Sequence, residues 1–261
     1  MNPIRKIKEN PKYVPIIRTL GCVGDSLSSG EHESLDKDGN KGYHDYYEYS
    51  WGQFIARSCG LKAFNFSHGG YKAKDFFTLG DFDMFKKENL CQAYIIALGA
   101  NDMSHLCDET DTYSGFGNIE NAMKDSFEEN NKTFVGAYVN LIKKIREVQP
   151  KARIFVVTFP KRKASKKRKE LNKKHTEFLR SLPNYFEYLY VIDLQKYSVN
   201  YSSKKFIHKY YLGGHLSAMG YKYTADLFIT YMNYIIEHNI DDFRQIGFVL
   251  KGGEYNMGCK W

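Results

Sequence analysis

Ala93-Tyr94-Ile95-Ile96-Ala97-Leu98 is an unbroken apolar run that stops at Gly99. A strand with one solvated face alternates apolar and polar residues. A strand with no polar position is covered on both faces, the condition of a central strand in a parallel sheet. The pattern repeats outward from this run. Residues 15–23 read as a first strand, 61–66 as a second, 93–98 as the third, 153–158 as a fourth and 188–193 as a fifth. Between them lie helical signals. Residues 50–59 end at Gly60, a C-terminal stop. Residues 133–149 carry Phe134, Val135, Tyr138, Leu141, Ile142 and Ile145 at helical spacing, and Pro150 follows. Residues 216–238 carry the stripe Ala225, Phe228, Ile229, Met232, Ile235 and Ile236. Strands separated by helices and joined by right-handed crossovers give an α/β fold, a parallel sheet with helices on both faces.

No repeat or linker divides the chain. One domain is expected over 1–261, with an N-terminal extension at 1–14 and a C-terminal tail at 240–261. Its 261 residues, 43% hydrophobic, suffice for one sizeable core. The net charge is +8, and residues 161–169 alone hold seven Lys and Arg with no acid. Apart from that run the chain is close to neutral. The run reads as a solvated loop and helix start, or as an attractor of an anionic substrate or surface. It lacks interleaved aromatics and any known binding module, so no nucleic-acid partner is expected.

Five cysteines (Cys22, Cys59, Cys91, Cys107 and Cys259) form no CxxC pair. An odd count without such pairs suits a reducing compartment rather than a disulfide framework. The basic N-terminus is not followed by an apolar signal core, and no run is long enough to span a bilayer. The expectation is a cytoplasmic protein with no membrane span. His68, His105 and Cys107 fit no familiar zinc spacing, so no metal site is expected of them.

The residues with chemical potential fall where strands finish or helices start. Gly24-Asp25-Ser26-Leu27-Ser28 leaves the first strand, and Ser67-His68-Gly69-Gly70 leaves the second. Gly99-Ala100-Asn101-Asp102 leaves the third, and Gly213-Gly214-His215-Leu216 precedes the last helix. In a parallel sheet those places share one edge, where ligands bind. A serine hydroxyl is a weak nucleophile until a base takes its proton, and histidine is the usual base near neutral pH. Attack on an ester carbonyl creates an oxyanion. The backbone N–H groups of Ser26 and Gly70 and the amide of Asn101 can stabilise it. Each residue also has a plain structural reading. Asp25 and Ser26 suit a helix cap, Gly69-Gly70 a turn, Asn101 a helix start, and His215 a cap of the last helix.

Together, in this order, the four blocks resemble the SGNH (GDSL-type) hydrolase family, named for its Ser, Gly, Asn and His: here Ser26, Gly70, Asn101 and His215. The resemblance implies a three-layer α/β/α, flavodoxin-like sandwich with about five parallel strands. It also implies an esterase or lipase mechanism with no metal or organic cofactor. One position departs from the family pattern. The acid expected three residues before the histidine is replaced by Leu212. Two arrangements remain. In the favoured one, a backbone carbonyl near Leu212 holds the His215 N–H and the site is a Ser–His dyad. In the other, a carboxylate reaches in from elsewhere, with Asp193 the nearest by topology. The expected substrate is a small or medium acyl ester, and an O-acetylated carbohydrate is preferred because residues 43–51 are rich in aromatic rings. Those rings equally suit packing over the sheet. A lysophospholipase or thioesterase is the runner-up. A catalytically impaired binding protein is the rival, favoured by Leu212 and opposed by the retention of Ser26, Asn101 and His215 together.

Overall fold

In the computed structural model, residues 11–79, 82–110, 112–244 and 246 are described. Cys259, most of the expected extension at 1–14 and most of the expected tail at 240–261 lie outside them. The strands in chain order are β1 (Thr19–Gly24), β2 (Glu31–Leu35), β3 (Lys41–Asp45), β4 (Lys62–Ser67), β5 (Ala93–Ala97), β6 (Arg153–Val157) and β7 (Leu189–Ile192). Five of them form one parallel sheet in the order β4-β1-β5-β6-β7. The opening apolar run is its central strand. Ala93, Tyr94, Ile95 and Ile96 are all at 0% exposure, as a strand covered on both faces must be.

Five longer helices cover the sheet: α1 (Trp51–Cys59), α2 (Ala100–Cys107), α3 (Phe134–Val148), α4 (Lys166–Ser181) and α5 (Ala218–His238). Ser50, Thr133, Ser165 and Ser217 cap four of them, each side chain accepting a backbone N–H of the first turn. Each sheet face has its own core. On one side Leu20, Cys22 and Phe155 pack with Trp51, Ile55, Phe228 and Met232 of α1 and α5. On the other, Val23, Tyr94 and Ile96 pack with Leu141, Ile142 and Leu179 of α3 and α4. Alternate strand residues therefore serve opposite cores. Each fully buried aliphatic or aromatic side chain contributes about 1.5–3 kcal/mol of transfer free energy.

Two expectations need correction. The first strand starts at Thr19, not at 15: Val14–Ile16 is a 3-10 turn with Pro15 inside it. Proline's fixed φ and missing N–H suit a helical turn better than a ladder. Ile17 is wholly buried, so its apolarity reports burial without strand. The polar, aromatic stretch after Ser29, which shows no strand signal, is the antiparallel hairpin β2–β3. Asp36 closes its tip by accepting the N–H groups of Asp38 and Asn40, each at 2.8 Å. The basic run splits into a loop and the first turn of α4, one of the two expected readings. Cys22, Cys59 and Cys107 are free thiols, and burial pushes the Cys22 thiol up to about 12. Among the described residues no helix is long and apolar enough to cross a membrane.

Candidate active site

Strand β1 ends at Gly24, and the chain turns into a single helical turn, Ser26–Ser29. Asp25 caps that turn, its Oδ1 accepting the Leu27 N–H at 3.0 Å. Burial pushes the Asp25 carboxyl up to about 7. It faces backbone, so its role is structural. The turn buries Ser28 and Ser29 and leaves Ser26 half-exposed at the sheet edge. Gly30, in the left-handed region (φ 84), then sends the chain into the β2–β3 hairpin.

The histidine arrives on a small ribbon, β8 (Tyr211–Leu212) paired with β9 (His215–Leu216). His215 Nε2 lies 3.0 Å from Ser26 Oγ, hydrogen-bonding distance for a nucleophile and its base. The Tyr43 ring stands edge-on to the imidazole, centroids 5.8 Å apart. Tyr221, buried in α5, ties the neighbourhood together by donating to the Glu31 carbonyl at 2.7 Å.

Both expected ways of holding the imidazole fail. His215 Nδ1 is buried and has no hydrogen-bond partner among the described residues, so no carbonyl near Leu212 accepts its proton. Leu212 is itself 50% exposed. Asp193 is engaged elsewhere. It accepts Arg180 Nε at 2.8 Å, Thr158 Oγ1 at 3.2 Å and the Lys196 N–H at 3.0 Å. The carboxylates beside His215 come from the hairpin instead. Glu33 Oε2 is 3.7 Å from Nδ1, and Glu31 Oε1 is 3.0 Å from Nε2.

Each carboxylate is held in place. Glu33 accepts the Gly214 N–H at 2.7 Å and pairs with Lys41 Nζ at 2.7 Å, its side chain only 6% exposed. The Lys41 ammonium, then the Gly214 N–H, hold its pKa below the usual range. Burial holds the Glu31 pKa above it, against the opposing pull of His215. Cβ atoms at Gly213 and Gly214 would lie 2.6 and 2.8 Å from the Glu33 carboxylate, and one at Gly69 would lie 2.5 Å from Glu31. These glycines are the space the two acids occupy. Sequence reasoning missed Glu31, Glu33 and Lys41. The available signal was the alternation Glu31-His32-Glu33, which aims both acids at one face of a strand.

The remaining expected residues converge through the loop after β4. In the sheet register, Gly24 of β1 pairs with Ser67 of β4 and with Ala97 of β5, so the three chain exits are neighbours. Gly70 is exposed and left-handed (φ 76). A Cβ there would meet open space, so glycine is required by conformation. Asn101, in the first turn of α2, donates from Nδ2 to the Tyr71 carbonyl at 3.0 Å. That bond uses one of its two N–H groups. Asp102, wholly buried, accepts Tyr113 OH at 2.6 Å and the Ala73 N–H at 2.9 Å. Burial pushes it up to about 6. Asp102 thereby clamps the loop at Ala73 to α2, which keeps Asn101 against Tyr71, the residue after Gly70.

His105 Nδ1 bonds Thr110, and the His68 ring lies against Tyr71, centroids 4.4 Å apart. Among the described residues no group of three or more His, Cys, Asp or Glu is arranged to hold a metal. The assembled groups are a serine hydroxyl, an imidazole, flanking carboxylates and amide donors, the group types that acyl transfer uses.

Comparison with known proteins identifies the family and the fold. The family described as GDSL-like Lipase/Acylhydrolase matches residues 20–228. No curated protein matches the chain. Among solved structures, "a possible lipase" from Chitinophaga pinensis aligns with TM-score 0.59 at 19% identity, over 83% of this chain and 98% of that one. A family two carbohydrate esterase from Clostridium thermocellum in complex with cellohexaose aligns with TM-score 0.53 at 18% identity, over 86% and 65%. A family 3 carbohydrate esterase from the same organism aligns with TM-score 0.52 at 15% identity, over 85% and 98%. At these identities the likenesses establish a shared fold.

Proposed function

The chain belongs to the GDSL-like lipase/acylhydrolase family, and from that premise we propose that it is a serine esterase working through an acyl-enzyme on Ser26. The observation that carries this reading is the 3.0 Å contact between Ser26 Oγ and His215 Nε2 at the sheet edge. His215 Nε2 takes the Ser26 proton as Oγ attacks the ester carbonyl. The oxyanion is met by N–H donors of Ser26, Gly70 and Asn101. Collapse of the tetrahedral intermediate breaks the acyl–oxygen bond, and His215 returns the proton to the leaving alcohol. A water then repeats the sequence on the acyl-enzyme.

Accepting a proton at Nε2 requires the tautomer with hydrogen on Nδ1. Glu33 is the group that favours it, with its Oε2 aimed at Nδ1 across 3.7 Å. Catalytic hydrogen bonds are often long in an unliganded enzyme and tighten with substrate. Glu31 sits at the other nitrogen and supports the imidazolium formed in the transition state. The leaving alcohol must lie on the His215 side, because Nε2 gives it the proton. That side carries the ring of Tyr43, edge-on to His215 and 54% exposed. An exposed aromatic face beside a leaving group suits a sugar, so the alcohol is a carbohydrate hydroxyl. The carbohydrate esterases of the same fold lend this support.

Ser26→Ala should lower ester turnover by several orders of magnitude. A fluorophosphonate probe should label the wild type and spare the variant. Labelling at a different serine, or a fully active Ser26→Ala protein, would overturn the assignment.

A further inference from the structure

A crevice of about 440 Å³ runs along the carboxyl ends of β1, β5, β6 and β7. One end is formed by the neighbours of the reacting groups, Leu27 beside Ser26 and Ala100 beside Asn101. Its walls are mostly apolar, with Trp51, Phe159, Leu216 and Phe228 among them. Its other end is the loop after β6, where Arg162 and Lys163 line it, while Arg168 of α4 lines it beside Ala100, donating to that carbonyl at 3.0 Å. This is the basic run that the Ser–His chemistry leaves unexplained.

This charge is uncompensated. Arg162 and Lys163 are exposed, and neither forms an ion pair with a carboxylate among the described residues. Arg168 is half-buried and donates only to neutral groups, Ser104 Oγ, the Ala100 carbonyl and Asn172 Oδ1. By contrast Lys167, of the same run, pairs with Glu109 at 2.6 Å and does not line the crevice. Asp25 is the one carboxylate on the walls, and its Oδ1 accepts the Leu27 N–H. Ser28 Oγ, buried on the wall, has no hydrogen-bond partner among the described residues. An occupant therefore meets apolar walls together with positive charge, from Arg168 beside Ala100 and from Arg162 and Lys163 on the loop after β6.

Proton delivery decides which half of an ester enters. The leaving alcohol must stay near His215 on the side of the β2–β3 hairpin, and none of the hairpin residues 31–45 lines the crevice. The carbonyl oxygen points to Gly70 and Asn101. The third substituent of the tetrahedral carbon, the acyl chain, is left facing the crevice. We propose that the substrate is an ester whose acyl arm has an apolar stem and an anionic end, seated in this crevice with its charge against Arg162, Lys163 and Arg168. This rests on the serine esterase reading above. Hydrolysis breaks the acyl–oxygen bond, adds water across it and releases the alcohol and an acid carrying two anionic groups.

The test compares p-nitrophenyl esters of four- to eight-carbon acyl chains ending in methyl, carboxylate or phosphonate. The wild type should favour an anion-tipped ester over its methyl-tipped counterpart by tenfold or more in kcat/KM. Which tip is preferred distinguishes a dicarboxylate arm from a phosphorylated one. Arg162→Gln/Lys163→Gln should bring that ratio close to one, and added salt should shrink it in the wild type. Lys166→Gln/Lys169→Gln, the same charge loss from the same run but off the crevice, should leave the ratio as it was. Calorimetry of octanoate with Ser26→Ala should detect binding that the Arg162/Lys163 variant loses. Hydrolysis with no preference for anionic tips, together with no octanoate binding, overturns this inference and leaves the esterase reading standing. Octanoate binding with no turnover and no fluorophosphonate labelling overturns the esterase reading and leaves the anion-tipped crevice standing.

Discussion

Glu33 and Asp193 are both 7% exposed, both at the carboxyl edge of the molecule and both paired with a cation, yet only one faces the imidazole. Asp193 is saturated. Arg180 approaches its Oδ2 with Nε and Nη2, each at 2.8 Å, while Oδ1 takes Thr158 and the Lys196 N–H. That geometry caps a turn and ties α4 to the end of β7. Glu33 divides its oxygens differently. Lys41 takes Oε1, while Oε2 accepts a single backbone N–H and keeps lone-pair capacity toward Nδ1. A carboxylate at a strand end is thus no orienting acid by position alone. It needs an acceptor site left open in the right direction.

The sharpest way to break this comparison is Glu33→Gln. Removing the charge at Nδ1 should lower kcat by roughly 10³-fold, approaching the 10⁴ of a full triad-acid loss. The acid limb of the kcat/KM profile should move to lower pH, because the imidazolium loses its counter-charge. A loss of stability with no movement of that limb would make Glu33 a purely structural residue. Lys41→Met should give a smaller fall in the same direction, since it frees Glu33 without removing it.

Asp193→Asn is the matching control. It should leave kcat within about threefold and lower stability by about 1–3 kcal/mol through the loosened Arg180 and Thr158 bonds, read by denaturant unfolding. A loss of several hundredfold in kcat would restore Asp193 as the acid.

The smallest effect on rate concerns carboxyls with no cation at all. Asp25 and Asp102 are raised from 3.8 to about 7 and about 6 by burial. A group raised on folding binds more protons in the native state, so its contribution is fully present below the unfolded pKa and is lost as pH rises through the folded value. Native stability should therefore fall between about pH 4 and pH 7. Asp25→Asn should flatten that fall, measured as urea midpoints across the window. An unchanged slope would mean that Asp25 stays ionised when buried.

The sheet was legible because central parallel strands must be apolar throughout, and runs such as 93–98 and 153–158 have no other use. Ser26, Gly70, Asn101 and His215 were legible because each sits within two residues of a glycine at a strand end or helix start. The acid was not. Hairpin strands open to solvent carry no burial pattern, so Glu31 and Glu33 read as surface charge. That both of them meet His215 depends on how β2 lies against the β8–β9 ribbon, some 180 residues along the chain. No local spacing encodes that. The crevice was hidden for a related reason. Seven positive charges in a row look alike until folding separates Lys167, neutralised by Glu109, from Arg162 and Lys163.

Gly213 and Gly214 have a meaning in inheritance as well as in packing. A side chain at either would occupy the space of the Glu33 carboxylate, so these two positions and position 33, far apart in the chain, are free to drift only in concert. A lineage that shortened residue 33 would release both glycines at once, and would then need a new acid to keep the site alive. Position 212, three residues before the histidine, is the vacancy such a lineage would fill first.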